Sequence, residues 1–232
     1  QSGWLGGAGE NWERGPYYLD GLIPLAWSLG DAALLQKAQR WIEWMLQSQR
    51  ADGFFGPADN PDWWPRMVAL KALTQYHEVT GDKRVLPFLD RYFRFQLEHL
   101  PQQPLSMWAA ARGQEQLLPM LYLYRQTGQE YLLELAQLLR GQSYRWSEFF
   151  RAFPYPRRTH AYLNRPLFMT AKRVTLISDW TAKRLRRIRA PKPPTKAQID
   201  KSNASRFLRV FHETHSVNLA MALKMLALDA LF

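Results

Sequence analysis

Four stretches of this chain bring Trp, Arg, carboxylate and amide side chains together. They are Trp4 to Gly15, Asp52 to Arg66, Trp108 to Glu115, and His212 to Asn218. Flat aromatic faces suit the C–H surface of a sugar ring, while Arg, Glu and Gln suit hydroxyls. That mixture is the usual make-up of a pocket for a polar ligand. The candidate ligand-binding side chains are Trp12, Glu13, Asp20, Trp63, Arg66, Arg112, Gln114, Glu115 and His215. Cleavage of a glycosidic bond generally uses two carboxyl groups placed across it. Glu10, Glu13, Asp20, Asp62 and Glu115 are the candidates, and nothing in their spacing selects a pair.

Each of these residues also has a plainer reading. Trp63 and Trp64 can be packing residues at a helix entry, with one of the two free for a ligand. Glu13 and Arg14 can form a local ion pair. Arg112 and Glu115, three apart, can pair along a helix surface. His212 and His215 are also three apart, yet a zinc site needs more ligands than this pair supplies. His215 alone, at a helix entry, is the better candidate. His77, His99 and His160 read as structural. With no Cys in the chain, disulfides, thiolate metal sites and Cys nucleophiles are excluded within it.

The elements that must position these groups show themselves as a repeat. Leu29-Gly30-Asp31, Thr80-Gly81-Asp82 and Thr127-Gly128-Gln129 recur about every 49 residues. Gly after a helix end adopts the left-handed conformation, and Asp31 and Asp82 are good N-caps for the helix that follows. Each triplet is therefore the tight connection of a helical hairpin. First helices are expected near 16–29, 64–79 and 113–126, second helices near 31–49, 82–98 and 129–146. The first helices are apolar nearly all round, as in Leu117 to Tyr124, and should be buried on several sides. The second are amphipathic: Leu34, Leu35, Ala38, Trp41, Ile42 and Met45 make one stripe. This predicts an all-α fold of the (α/α)6-toroid type, with buried inner and half-buried outer helices. It also places these four stretches at one rim, where the chain enters the inner helices. A fourth inner helix begins near Val217. The chain starts at Gln1 and stops at Phe232 within an apolar helix, so about three and a half hairpins, an incomplete ring, are expected.

Charge divides the chain. Residues 151–210 carry 16 Lys and Arg against Asp179 and Asp200, a net +14, whereas the remainder is −3. This stretch is rich in Pro and overruns the repeat. The expected organisation is three hairpins over 1–150, a basic insertion over 151–210, and the fourth inner helix over 211–232. The basic stretch allows a nucleic-acid or polyanion patch, but no nucleic-acid fold signature accompanies it. A helical excursion with a solvated basic face is the favoured reading. No apolar run reaches the roughly 18 residues that span a membrane, and no signal peptide is visible. Nothing else bears on localisation.

Three motifs together resemble a known group. They are Glu10-Asn11-Trp12-Glu13-Arg14-Gly15-Pro16-Tyr17-Tyr18-Leu19-Asp20-Gly21-Leu22, then Gln49 to Pro57, and Asp62-Trp63-Trp64-Pro65-Arg66-Met67. They are similar to the N-terminal half of the β-L-arabinofuranosidase superfamily, glycoside hydrolase family 127 and its relatives. His215-Ser216-Val217-Asn218 resembles that group's histidine at a later inner-helix entry. The resemblance implies an (α/α)6 toroid that hydrolyses a terminal sugar. It also implies a Cys nucleophile, an acid Glu and a Cys-rich zinc site, all farther along than this chain reaches, so no cofactor is expected within it. Where the family has His at the second and third inner-helix entries, this chain has Asp62-Trp63 and Gly113-Gln114. The expected function is thus part of a glycoside hydrolase catalytic domain, with carbohydrate as partner and no activity in isolation. The alternative is a non-catalytic helical repeat that binds a protein or polyanion.

Overall fold

The computed structural model describes residues 1–151, 215–224 and 227–228. The expected basic insertion lies outside the described residues except for its first position, as do His160 and His212. Among the described residues every regular element is helical, and the elements form a toroid-type hairpin repeat.

The chain divides into two compact units, Gln1–Tyr144 with Phe211–Phe232, and Arg145–Val210. In the first, hairpins pair α1 (Arg14–Leu29) with α2 (Ala32–Gln47), α3 (Trp63–Thr80) with α4 (Val85–His99), and α6 (Leu117–Thr127) with α7 (Tyr131–Gln142). A short α5 (Met107–Arg112) and a 3₁₀ turn (Gly113–Gln116) lead into α6. The fourth inner helix, α9, spans Ser216–Ala222. The second unit is described only by α8 (Trp146–Arg151), where Arg145 pairs with Glu148 at 2.9 Å and Trp146 meets Phe149 edge-on.

The repeat turns form as their sequence requires. Gly30, Gly81 and Gly128 have φ of 63°, 66° and 67°. Their N–H groups close the preceding helices on Ala26, His77 and Tyr124 carbonyls. A side chain with a Cβ pays a steric cost in this conformation. Asp31 caps α2 by accepting from Leu34 N at 2.8 Å. Asp82 behaves differently. It accepts from Arg84 N, and α4 begins only at Val85. Its carboxylate is drawn instead into bonds with the Arg84 guanidinium and the Tyr76 hydroxyl.

Inner helices carry the core. Trp64, Met67, Ala69, Leu70, Ala72 and Leu73 of α3 are fully enclosed, because α3 packs against α1, α4, α5 and α6. The outer α4 buries one stripe, Val85, Phe88, Leu89, Tyr92 and Phe93, and leaves Arg91 and Arg94 on the other. The third entry departs from expectation. Trp108 to Glu115 is helical rather than a loop, and α5 starts at Met107, whose φ of 50° resets the chain direction.

Candidate functional site

The first and second inner helices are stapled at their entries by two indole–carboxylate bonds running in opposite directions. Trp12, just before α1, donates Nε1 to Asp62 Oδ2 at 2.7 Å. Asp62 is also the N-cap of α3, accepting from Trp64 N at 3.0 Å. Trp64 in turn donates Nε1 to Glu13 Oε2 at 2.5 Å. Helical geometry explains why Trp64 and not Trp63 returns to α1. Successive residues differ by about 100°, so Trp63 faces the other way, giving Nε1 to Gln103 O at 2.9 Å and packing on Phe95. Trp63 is 3% exposed and takes part in the α3–α4 packing.

Arg66 is likewise engaged within the protein. Its guanidinium is buried and donates to the carbonyls of Phe55, Asp62 and Pro57 at 2.8, 2.8 and 3.1 Å. It also lies 3.8 Å above the Phe54 ring. Burial pulls its pKa down to about 10. These three bonds hold the 54–62 loop, so Arg66 fixes the rim.

Arg112, at the end of α5, is the centre of the site. Its guanidinium sits 4.6 Å from the Trp64 ring and 4.4 Å from the Trp108 ring, a cation–π sandwich of the kind that favours Arg. Nη1 donates to Glu13 Oε2 at 3.2 Å and approaches Tyr17 Oη at 3.4 Å. Nε donates to Asn218 Oδ1 of α9 at 2.7 Å. Nη2 has no partner among the described residues. His215, at the N-cap of α9, lies edge-on to Trp108 at 5.3 Å, which extends the aromatic wall.

The remaining candidates flank this centre. Glu115 is buried and pairs with Lys224 at 2.6 Å, so Arg112 and Glu115 each pair with another element rather than with each other. Gln114 is fully buried. Asp20 bridges α1 to α3 through Lys71 Nζ at 2.9 Å and Gln75 Nε2 at 3.2 Å. Tyr17 ties the groups together. Burial pushes its pKa up to about 12, with Arg112 opposing and Glu13, Glu115 and Asp20 adding to the rise. The sequence reading missed Tyr17, Trp64, Trp108, Asn218 and Lys224 as partners. Tyr17 was visible one helical turn after Glu13, but Asn218 and Lys224 meet the site from over 100 residues away.

The sequence model of the β-L-arabinofuranosidase GH127 catalytic domain matches residues 14–147. The chain belongs to this family. No curated protein and no solved structure matches it. The matched span holds α1 to α7 with Arg112 and begins one residue after Glu13; membership of a glycoside hydrolase family implies a carbohydrate substrate. No described helix is long and apolar enough to cross a membrane. The described residues do not fit the zinc centre that the resemblance implies. The chain has no Cys, and no three His, Asp or Glu side chains cluster among the described residues.

Proposed function

We propose that the rim of this GH127 domain binds the terminal sugar of a β-L-arabinofuranoside-like substrate, and that the 232-residue chain does not hydrolyse it unaided. One observation carries the reading. Arg112 is held rigidly between two indoles, with Glu13 and Asn218 on two of its nitrogens and Nη2 left to donate. Such a preorganised donor beside aromatic walls suits a ring hydroxyl. Glu13 compensates the Arg112 charge, and Lys224 that of Glu115, so the rim favours a neutral sugar over a charged one.

The same pairs argue against hydrolysis by these residues alone. Glu13, Asp20, Asp62 and Glu115 are each engaged with an Arg, Lys or Trp donor. A glycosidase needs one carboxyl free to give a proton and a second group on the opposite side of the bond. None of the four is assigned that work. Asp62 caps and staples, Glu13 orients Arg112, and Asp20 and Glu115 hold neighbouring elements.

The test is release of p-nitrophenol from aryl β-L-arabinofuranoside and from a panel of other furanosides and pyranosides. The naturally expressed protein should cleave the arabinofuranoside, and the 232-residue chain should cleave none. Inactivity of the natural protein across the whole panel overturns the substrate reading. Robust turnover by the 232-residue chain overturns the second half.

A further inference from the structure

Trp4, Trp12, Trp63 and Trp64 each give their indole N–H to an acceptor within the protein. Trp44, in the last turn of the outer helix α2, does not. It is half-buried beside the apolar stripe of that helix, and its Nε1 has no hydrogen-bond partner among the described residues. The Nε1 edge faces Gly6. A Cβ built on Gly6 would stand 2.6 Å from Nε1, so a side chain at this position would cover the N–H. Gly6 also has a φ of 72°, which a residue with a Cβ adopts only at a cost.

Trp44 and Gly6 line a cleft of about 210 Å³ between the N-terminal loop and the 57–59 loop. At about 30 Å³ per water, this is space for roughly seven waters, close to one sugar ring. Its glycine wall is bare backbone, since a Cβ on Gly7 or Gly9 would meet the Gln1 carbonyl oxygen at 2.2 or 2.6 Å. Asn11 and Asp59 supply the polar side chains, and Asn11 Nδ2 donates to Asp59 Oδ2 at 2.8 Å. That bond leaves Oδ1 of both residues to accept, and the exposed Asp59 has no ion pair among the described residues. None of the residues lining the cleft is a partner of Arg112.

We infer that this cleft is a second carbohydrate site, which holds one ring of an uncharged oligosaccharide apart from the Arg112 centre. Trp44 Nε1 donates to one hydroxyl oxygen, and the Asp59 and Asn11 oxygens accept from other hydroxyls. The chemistry narrows the ligand. Hydroxyls both donate and accept, as this set of groups requires. An ammonium only donates and leaves Nε1 unpaired, while a carboxylate or phosphate only accepts and meets the Asp59 charge. The indole adds an apolar surface for ring C–H groups. The same indole borders a further cleft of about 350 Å³ along α2, edged by Gln36, Arg40 and Gln47, where an adjoining sugar unit can continue. A chain of several units is therefore the ligand. The choice of carbohydrate rests on membership of a glycoside hydrolase family and not on the Arg112 reading.

Calorimetry on the naturally expressed protein tests the inference, with cellohexaose, xylohexaose, maltohexaose and α-1,5-L-arabinohexaose as probes beside methyl β-L-arabinofuranoside. Wild type should bind at least one hexasaccharide. Trp44→Phe keeps a ring but loses the N–H, and Asp59→Ala alters the opposite wall. Each should weaken that binding roughly tenfold or more. Glu13→Gln, which disturbs the Arg112 centre, should leave it unaltered. Asp59 is exposed, so its variant remains informative even if Trp44→Phe folds poorly. Failure of wild type to bind any hexasaccharide overturns the inference. So does an affinity that survives both Trp44→Phe and Asp59→Ala, or one that Glu13→Gln alone abolishes, which would place the sugar chain in the Arg112 centre. If methyl β-L-arabinofuranoside binds and no hexasaccharide does, the inference alone fails. If a hexasaccharide binds through Trp44 and the arabinofuranoside does not bind, the Arg112 reading alone fails.

Discussion

Glu13 and Arg112 are 99 residues apart in the chain and meet at 3.2 Å, with the Trp64 indole bound to the same Glu13 oxygen. One carboxylate thus registers the first inner helix against both the second and the third. Arg112 is 5% exposed, so an uncompensated charge there would be poorly solvated.

Glu13→Gln should therefore cost about 1–3 kcal/mol of stability. It should also lower kcat/KM for an aryl arabinofuranoside by more than tenfold, because the Arg112 donor loses its anchor. Glu13→Asp, which keeps the charge on a shorter arm, should recover part of the stability. Denaturant melts and steady-state kinetics on the naturally expressed protein decide the matter. Unchanged values for Glu13→Gln would show that Arg112 is held by the indoles and Asn218 alone.

Arg66 is expected to separate stability from binding. Arg66→Met strands the buried Phe55 and Pro57 carbonyls and should cost about 3 kcal/mol or more. The variant should bind sugar with near-native affinity once folded at low temperature. A loss of affinity without a loss of stability would return Arg66 to the pocket.

Gln96 and Gln116 pair reciprocally with no solvent exposure. Gln96→Leu and Gln116→Leu each leave one amide orphaned and should destabilise by about 1–3 kcal/mol. The double variant should be less destabilised than the sum of the two. A double-mutant cycle by urea unfolding measures the coupling, and strict additivity would mean the pair contributes nothing as a unit.

Asp82 links a repeat turn to pH. Bonds from Arg84, a backbone N–H and Tyr76 hold its pKa down to about 2. A carboxylate depressed in the folded state contributes stability that is fully present above its unfolded pKa of about 4. That contribution is lost as pH falls through about 2. Arg84 is half exposed, so solvent screening limits the gain to roughly 1 kcal/mol. Asp82→Asn should lower Tm at pH 7, and the deficit should shrink as pH falls toward and below 2. An equal deficit at both values would assign the effect to shape rather than charge.

The hairpin repeat was legible because its signals are local. Gly30, Gly81 and Gly128 each need a left-handed φ, and apolar periodicity follows from which side of a helix faces its neighbours. The rim was legible too, since a repeat sorts its connections to opposite ends. The choice among rim residues was not. Trp63 and Trp64 are adjacent and chemically the same, and a rotation of one residue about α3 sends one to Phe95 and the other to Glu13. Arg66 and Arg112 both read as ligand-facing cations. Three backbone carbonyls of the 54–62 loop consume one, while two indoles and α9 display the other. By itself the sequence determined the helices, their turns and the end of the toroid where polar groups gather. Only the tertiary structure decided which of those groups pair with each other and which remain open, because that depends on contacts between residues far apart in the chain.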